Sequence, residues 1–431
     1  MRLYRGIHAG LFSGVGVMLA TASAFAQDPA PVEPTAAPVE PAPAPAPEPV
    51  ADPAATPVVV VEEPVAVPVV VEEEEKDGGL TLMAFGDAYA SVQTGQQGSG
   101  APYHRAYDSS NGLLQNTDGF SLAWAGLDIM YDSKYFAVTT SARFGQAVSQ
   151  FYATPGFVPS DIGAITQAFV TWKPADKLSL DFGMFGTIYG AEVAESWRNL
   201  NYTRGALYYG YQPFWHTGVK ANYALTDELT IKAMVVNDVN MNSLGQTPVG
   251  SPGSGVANGG NLQAGLQVAY AKDDFSAALG TLQTLGDTST RLGFDRFTDL
   301  VLVYAPGDLK IVFNGDMNYS DASDSYYYGL SLAAGYQFVP MFGAALRGEY
   351  IDPTAGGTGQ VDDSLVTATL TFNFLPVPDS SNVVIRWDNR FENMPSGGAP
   401  FGLPFTNGAG VAVDNWFSST VGVVVHTEGL L

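Results

Sequence analysis

The chain has 431 residues, 46% of them hydrophobic, with 48 Gly, 24 Phe, 21 Tyr, no Cys and a formal net charge of −24. Charged residues make up only 14%, well below the roughly 25% of an ordinary soluble protein. The absence of Cys excludes a disulfide scaffold, a Cys-ligated metal and a Cys-anchored lipoprotein, and the acidic excess argues against nucleic acid, because neutralising phosphates needs clustered Lys and Arg.

Residues 1–26 read as a secretory signal: Arg2 and Arg5 precede a small apolar run from Leu11 to Ala22, and Ala24-Phe25-Ala26 supplies a small-x-small cleavage pattern before Gln27. That run is short for a retained anchor, and no later window offers the ~18 uninterrupted apolar residues of a membrane helix. Residues 27–76 form a second block, in which positions 28–76 hold 13 Pro, 11 acidic residues and the single base Lys76. Proline removes backbone donors, so this block is expected to be a disordered spacer. Fully extended as polyproline II it would reach on the order of 150 Å. It serves either as a periplasmic tether toward the cell wall or a partner, or as an inert spacer.

Residues 77–431 repeat one theme, segments of alternating polarity broken by turn chemistry. Transmembrane β-strands have this pattern because one side chain faces lipid and the next faces the lumen. Sixteen are read, at 80–92, 119–130, 135–145, 163–173, 177–187, 213–225, 228–238, 261–272, 274–284, 297–306, 308–319, 326–338, 341–351, 363–374, 381–392 and 414–426. Links after even strands are short, such as Thr226-Asp227, Asp273, Gly307 and Val339-Pro340. Links after odd strands are mostly long, such as 93–118, 188–212 and 239–260. Short periplasmic turns alternating with long external loops mark outer-membrane barrels. The expected fold is therefore all-β, a transmembrane antiparallel up-and-down barrel closed so that no strand edge is left unpaired in lipid.

The faces follow from phase. At 341–351, Phe342, Ala344, Leu346 and Tyr350 oppose Gly343, Ala345, Arg347 and Glu349. At 177–187, Leu178, Leu180, Phe182 and Met184 oppose Ser179, Asp181 and Thr187. At 381–392, Val383, Ile385, Trp387 and Phe391 oppose Asn382, Arg386, Asp388, Arg390 and Glu392. A midplane Arg or Lys facing lipid costs about 2–4 kcal/mol, so the charged sets must line the interior. Arg143, Gln167, His216, Lys220, Lys232, Gln263, Gln267, Lys310, Asn314, Asp316, Thr367, Thr369 and Thr371 join them, while the strand at 119–130 has no clear phase. Tyr131, Tyr135, Trp172, Tyr270, Tyr304, Phe338, Trp416 and Phe417 lie near strand ends, as interfacial girdles do. A polar interior suits an open pore or a plugged, salt-bridged core. Barrels of about eight strands are filled by side chains and those of 16–18 leave an aqueous channel, so the count favours a pore.

From about Phe85 to its end the chain resembles the outer-membrane porins of the β-barrel porin-2 type. The resemblance is carried by Thr166-Gln167-Ala168-Phe169-Val170, Leu180-Asp181-Phe182-Gly183-Met184-Phe185, Tyr189-Gly190-Ala191-Glu192, Asn199-Leu200-Asn201-Tyr202-Thr203-Arg204, Pro213-Phe214-Trp215-His216-Thr217-Gly218-Val219-Lys220, Arg347-Gly348-Glu349-Tyr350 and Arg386-Trp387-Asp388-Asn389-Arg390. It implies passive solute diffusion through a porin barrel in a Gram-negative outer membrane. In general porins the third external loop folds inward and narrows the pore. Here that loop, 188–212, carries Glu192, Glu195, Trp197, Arg198, Tyr202, Arg204, Tyr208, Tyr209 and Tyr211. The charges of both signs lead to the expectation of an eyelet in which Glu192 and Glu195 face lumen bases such as Arg143, Arg347, Arg386 and Arg390. The alternative is a loop lying over the mouth or at a subunit contact. Acidic loops would concentrate cations at the mouth and give a cation preference.

Only His104, His216 and His426 remain beyond the signal, and no G-x-S-x-G elbow exists. Neither an enzyme, a cofactor nor a metal site is expected. The expected partners are outer-membrane lipid and small hydrophilic solutes or ions, with a homo-oligomer left open. The alternatives to a porin are a closed structural or adhesive barrel tethered by its spacer, and a barrel lipid hydrolase using His216 or His426.

Overall fold

The computed structural model describes residues 78–93, 119–145, 148, 164–237, 262–286, 295–321, 324–352, 364–377, 382–393 and 415–427. The expected signal and spacer lie outside the described residues. Sixteen strands follow in chain order: β1 (Gly79–Gln93), β2 (Gly119–Asp132), β3 (Phe136–Phe144), β4 (Ala164–Ala175), β5 (Leu178–Gly186), β6 (Trp215–Ala224), β7 (Leu229–Asn237), β8 (Leu262–Lys272), β9 (Phe275–Thr284), β10 (Arg296–Tyr304), β11 (Leu309–Ser320), β12 (Ser325–Val339), β13 (Phe342–Ile351), β14 (Leu365–Phe374), β15 (Val383–Asn393) and β16 (Asn415–His426). Each pairs antiparallel with its chain neighbours, and β1 pairs with β16 to close the barrel. All sixteen expected segments are strands, with ends within three residues of the expected ones. No helix among the described residues is long and apolar enough to cross a membrane.

The outer face is an apolar band that includes Leu127, Val138, Val170, Phe182, Val219, Leu266, Leu279, Leu332, Leu346, Leu370, Trp387 and Val423, all exposed on the barrel. Near the short turns, Tyr336, Phe338, Phe342, Phe372 and Phe374 pack ring on ring at centroid distances of 5.1–6.2 Å. Tyr135, Trp172, Tyr270, Tyr304, Phe338 and Phe417 of the expected girdle are exposed outward. Trp416 is not: it points inward at 1% exposure. The ring is one register place out of phase with its neighbour Phe417, and period two, rather than nearness to a strand end, decides its face.

Two further differences have local causes. β2 shifts register against β1 between Asp87 and Ala88. Phe120 and Leu122 face out before the shift, Ala123 and Trp124 are both buried, and Leu127 and Ile129 face out after it. A bulge of one residue exchanges the two faces of a strand, which is why this segment shows no single phase. Met184 alternates with Leu178, Leu180 and Phe182, but it is buried in a cluster with Tyr208 and Phe214. It follows Gly183, whose φ of +134° interrupts the regular pleat.

Candidate functional site

The loop between β5 and β6, L3 (residues 188–212), contains a 3-10 turn at Ser196–Arg198 and one short helix, α1 (Ala206–Tyr211). Tyr189, Ser196, Asn201, Tyr202, Arg204, Leu207 and Tyr211 are all buried. L3 lies inside the barrel. Irregular backbone at this depth is tolerated only when its polar groups find partners in protein or water. Here the inward charges of the wall supply them.

Wall carboxylates take the loop's donors. Asp388 on β15 accepts the Tyr202 amide at 3.2 Å, the Thr203 amide at 2.8 Å and the Thr203 hydroxyl at 2.5 Å. Asp87 on β1 accepts the Tyr202 hydroxyl at 2.6 Å and the Ser196 hydroxyl at 2.7 Å. Asp299 on β10 accepts the Gly190 amide at 3.1 Å, and Asn314 on β11 the Ala191 amide at 2.9 Å. Glu349 on β13 accepts the Ala206 and Leu207 amides, each at 3.1 Å. It thus caps α1 from across the lumen, where Gly205 offers no capping side chain.

Wall arginines take the loop's acceptors. Arg386 donates to the carbonyls of Ser196 (2.6 Å) and Asn199 (2.8 Å), Arg390 to that of Arg204 (2.6 Å), and Arg347 to that of Thr203 (2.8 Å). Two loop acids meet wall bases: Glu192 pairs with Arg347 at 2.5 Å, and Glu195 with Arg143 at 2.8 Å. Arg143 is shared with Asp128 at 2.8 Å and lies 4.8 Å from the Phe85 ring centroid. Burial raises the Glu192 carboxyl above its ordinary range; Arg347 opposes this and Glu349 adds to it. Burial pushes Glu195 the same way, but the charges of Arg143 and Arg198 outweigh it and hold that carboxyl below its ordinary range.

The structure therefore brings Glu192, Glu195, Arg143, Arg347, Glu349, Arg386, Asp388 and Arg390 together around one loop. Arg386 and Arg390, expected to face Glu192 and Glu195, instead bind loop carbonyls, because a guanidinium with five donors can serve several acceptors at once. Arg204 is fully buried and donates to the Tyr202 carbonyl at 3.1 Å. Arg198 is half-buried, with its guanidinium 6.0 Å from the Trp197 ring centroid. Lys220 pairs with Asp181 on its own sheet at 3.1 Å and lies 4.4 Å from the Phe185 ring centroid. Lys232 is buried on β7, in register with Asn222 and Gln267.

Sequence reasoning missed Asp87, Asp299 and a set of glycine hollows. A side chain at Gly422 would meet the Tyr202 ring, and one at Gly265 or Gly280 would meet Tyr189. The available signal was an inward-phase glycine inside a strand, which marks close approach by another group.

A cavity lies between L3 and β11–β13. Its charged lining is Glu192, Arg198, Lys310 and Arg347, with Asn201, Gln212, Asn314 and Ser331 among its polar groups. His216 is fully buried, with Nε2 3.1 Å from the Thr187 hydroxyl, and His426 stacks on Trp197 at 5.6 Å. Both imidazoles belong to the inner face. Among the described residues no group of three or more His, Asp or Glu is arranged to hold a metal ion.

A closed sixteen-strand barrel with an apolar belt, a polar interior and an inward third loop defines the class of outer-membrane porin barrels. The model of the family described as "Putative beta-barrel porin-2, OmpL-like" matches residues 79–425, and the chain belongs to that family. Solved structures share the fold. OmpF of Salmonella typhi, in complex with daunomycin, is 14% identical at a TM-score of 0.53, covering 81% of this chain and 97% of its own. An anion-selective porin from Comamonas acidovorans is 12% identical at 0.51, covering 81% and 100%. OprB of Pseudomonas putida is 10% identical at 0.50, covering 81% and 94%. No curated protein matches the chain in sequence.

Proposed function

We propose that this porin-family barrel lets small hydrophilic solutes or ions diffuse passively across the outer membrane, through the space that L3 leaves beside β11–β13. The observation that carries the reading is that cavity, which presents Glu192, Arg198, Lys310 and Arg347 among polar and apolar side chains and is bounded by the inward loop on one side and the wall on the other. In this reading L3 is the eyelet, with Glu192 and Glu195 locked to Arg347 and Arg143 at its edges. Arg198, Arg204, Glu349, Arg386, Asp388 and Arg390 hold the loop or line its margin, and Lys220 and Lys232 belong to the lumen wall. The chain acts as a channel, not an enzyme; residues 1–26 direct export and are removed, and residues 27–76 are a periplasmic spacer before the barrel.

One observation favours a second reading. Arg143, Arg347, Arg386 and Arg390 are at most 2% exposed, and they bind across the lumen. A closed structural barrel would have such an interior. Single-channel recording in a planar bilayer separates the two. Stable conductance steps support the porin; silence from a folded, heat-modifiable barrel leaves the closed barrel.

A further inference from the structure

The cavity beside L3 has an unequal charge inventory. One base, Arg198, comes from the loop and another, Lys310, from β11; Arg347 is the third and Glu192 is the single acid. Glu192 is held by Arg347 at 2.5 Å, and Arg347 also lies 3.3 Å from Glu349. Glu195, the acid whose charge Arg198 feels, is already bound by Arg143 at 2.8 Å. Arg198 and Lys310 thus bring positive charge to the space from its two sides. Lys310 is only 4% exposed, so its charge acts where walls exclude most water. There a fixed charge acts more strongly than at the surface.

We infer that this passage is selective for anions, small solutes bearing a carboxylate or phosphate as well as chloride, with Arg198 and Lys310 as the residues that determine the selectivity. The inference rests on the porin reading and names its substrate class. It reverses the preference expected from the acidic loops, and distance explains why. Charges at a mouth are screened over about 8 Å at physiological salt, whereas a permeating ion meets the eyelet's lining at contact. Rings of Arg or Lys select anions in other pores by the same physics.

The test is the reversal potential of the full mature chain in a planar bilayer under a KCl gradient. The expected result is a chloride permeability several-fold above that of potassium. Arg198→Glu with Lys310→Glu should bring the ratio to unity or below, and Lys310→Gln should lower it partway. If the charge-reversed variant does not fold, citrate replaces it as the probe: added to KCl, it should depress the wild-type current, and less so in Lys310→Gln. A potassium preference in the wild type overturns the inference and leaves the porin reading standing. So does an anion preference unchanged in a conducting double variant. Absence of any current from a folded barrel overturns both.

Discussion

Glu192 and Glu195 sit on one loop, each bound to an arginine, yet acid should reach them in opposite order. Burial raises the first and its arginine only partly offsets this; Arg143 and Arg198 lower the second. A carboxyl raised by folding favours the protonated form, so its linkage stabilises the fold at low pH and is lost as pH rises through the folded value. A lowered carboxyl does the reverse, stabilising above its unfolded value and failing only as pH falls through the folded one. As pH falls, Glu192 should therefore be neutralised before Glu195, while Glu195–Arg143 persists. The cavity then gains one unit of positive charge, and the anion-to-cation permeability ratio should rise. Reversal potentials measured against pH check this, and Glu192→Gln should diminish the rise on the acid side of the profile. A Glu192→Gln profile identical to the wild type would put the titrating group elsewhere. Asp388 is the other decisive residue, since it takes two loop amides and the hydroxyl of the same loop's Thr203. Asp388→Leu should cost about 3–5 kcal/mol, the scale of breaking a buried charged network. Tryptic cleavage at the otherwise buried Arg204 is the readout, and a protected loop in this variant would refute the anchoring role.

At the scale of the element, L3 is held by shape as well as by charge. Its Tyr202 ring fills the hollow at Gly422 while its hydroxyl bonds Asp87 at 2.6 Å. Gly422→Leu should expel the ring, leave Asp87 without that donor and widen the passage. The expected outcome is a larger and noisier single-channel conductance from a barrel that still shows heat modifiability. Gly190 works differently: its φ is +82°, and a side chain there would also meet the Gln212 amide. Gly190→Ala should destabilise the loop by about 1–2 kcal/mol from backbone strain alone, and lower protease resistance of L3 is the check. The same scale explains why the segment of β2 shows no single phase and why Met184 in β5 lies on the opposite face from the one its alternation gives. A bulge in β2 and the left-handed Gly183 in β5 each interrupt period two, and alternation carries no information across such a break.

For the whole molecule, the sixteen strands close on themselves, so the barrel needs nothing from residues 27–76 to pair its edges. Removing that segment should leave folding and conductance unchanged, as heat-modifiable mobility and bilayer recording would show. A current that appears only after its removal would make the segment a plug. Strand number, loop parity and nearly every face were legible in the amino-acid sequence. They follow from a two-residue period, turn chemistry and the cost of charge in lipid, all of them local properties of the chain. The polar identity of the interior was equally legible, since Arg347, Arg386, Asp388 and Arg390 alternate with lipid-facing residues. What those charges bind was not, because a side chain's phase says which way it points and nothing about what a distant loop brings to meet it. Only the tertiary structure decides that Arg386 and Arg390 are taken up by L3 carbonyls and that Asp87 and Asp299 hold the loop. It likewise decides that Arg198 and Lys310 meet in one cavity, because these contacts join positions more than a hundred residues apart and exist only once the barrel has closed around L3.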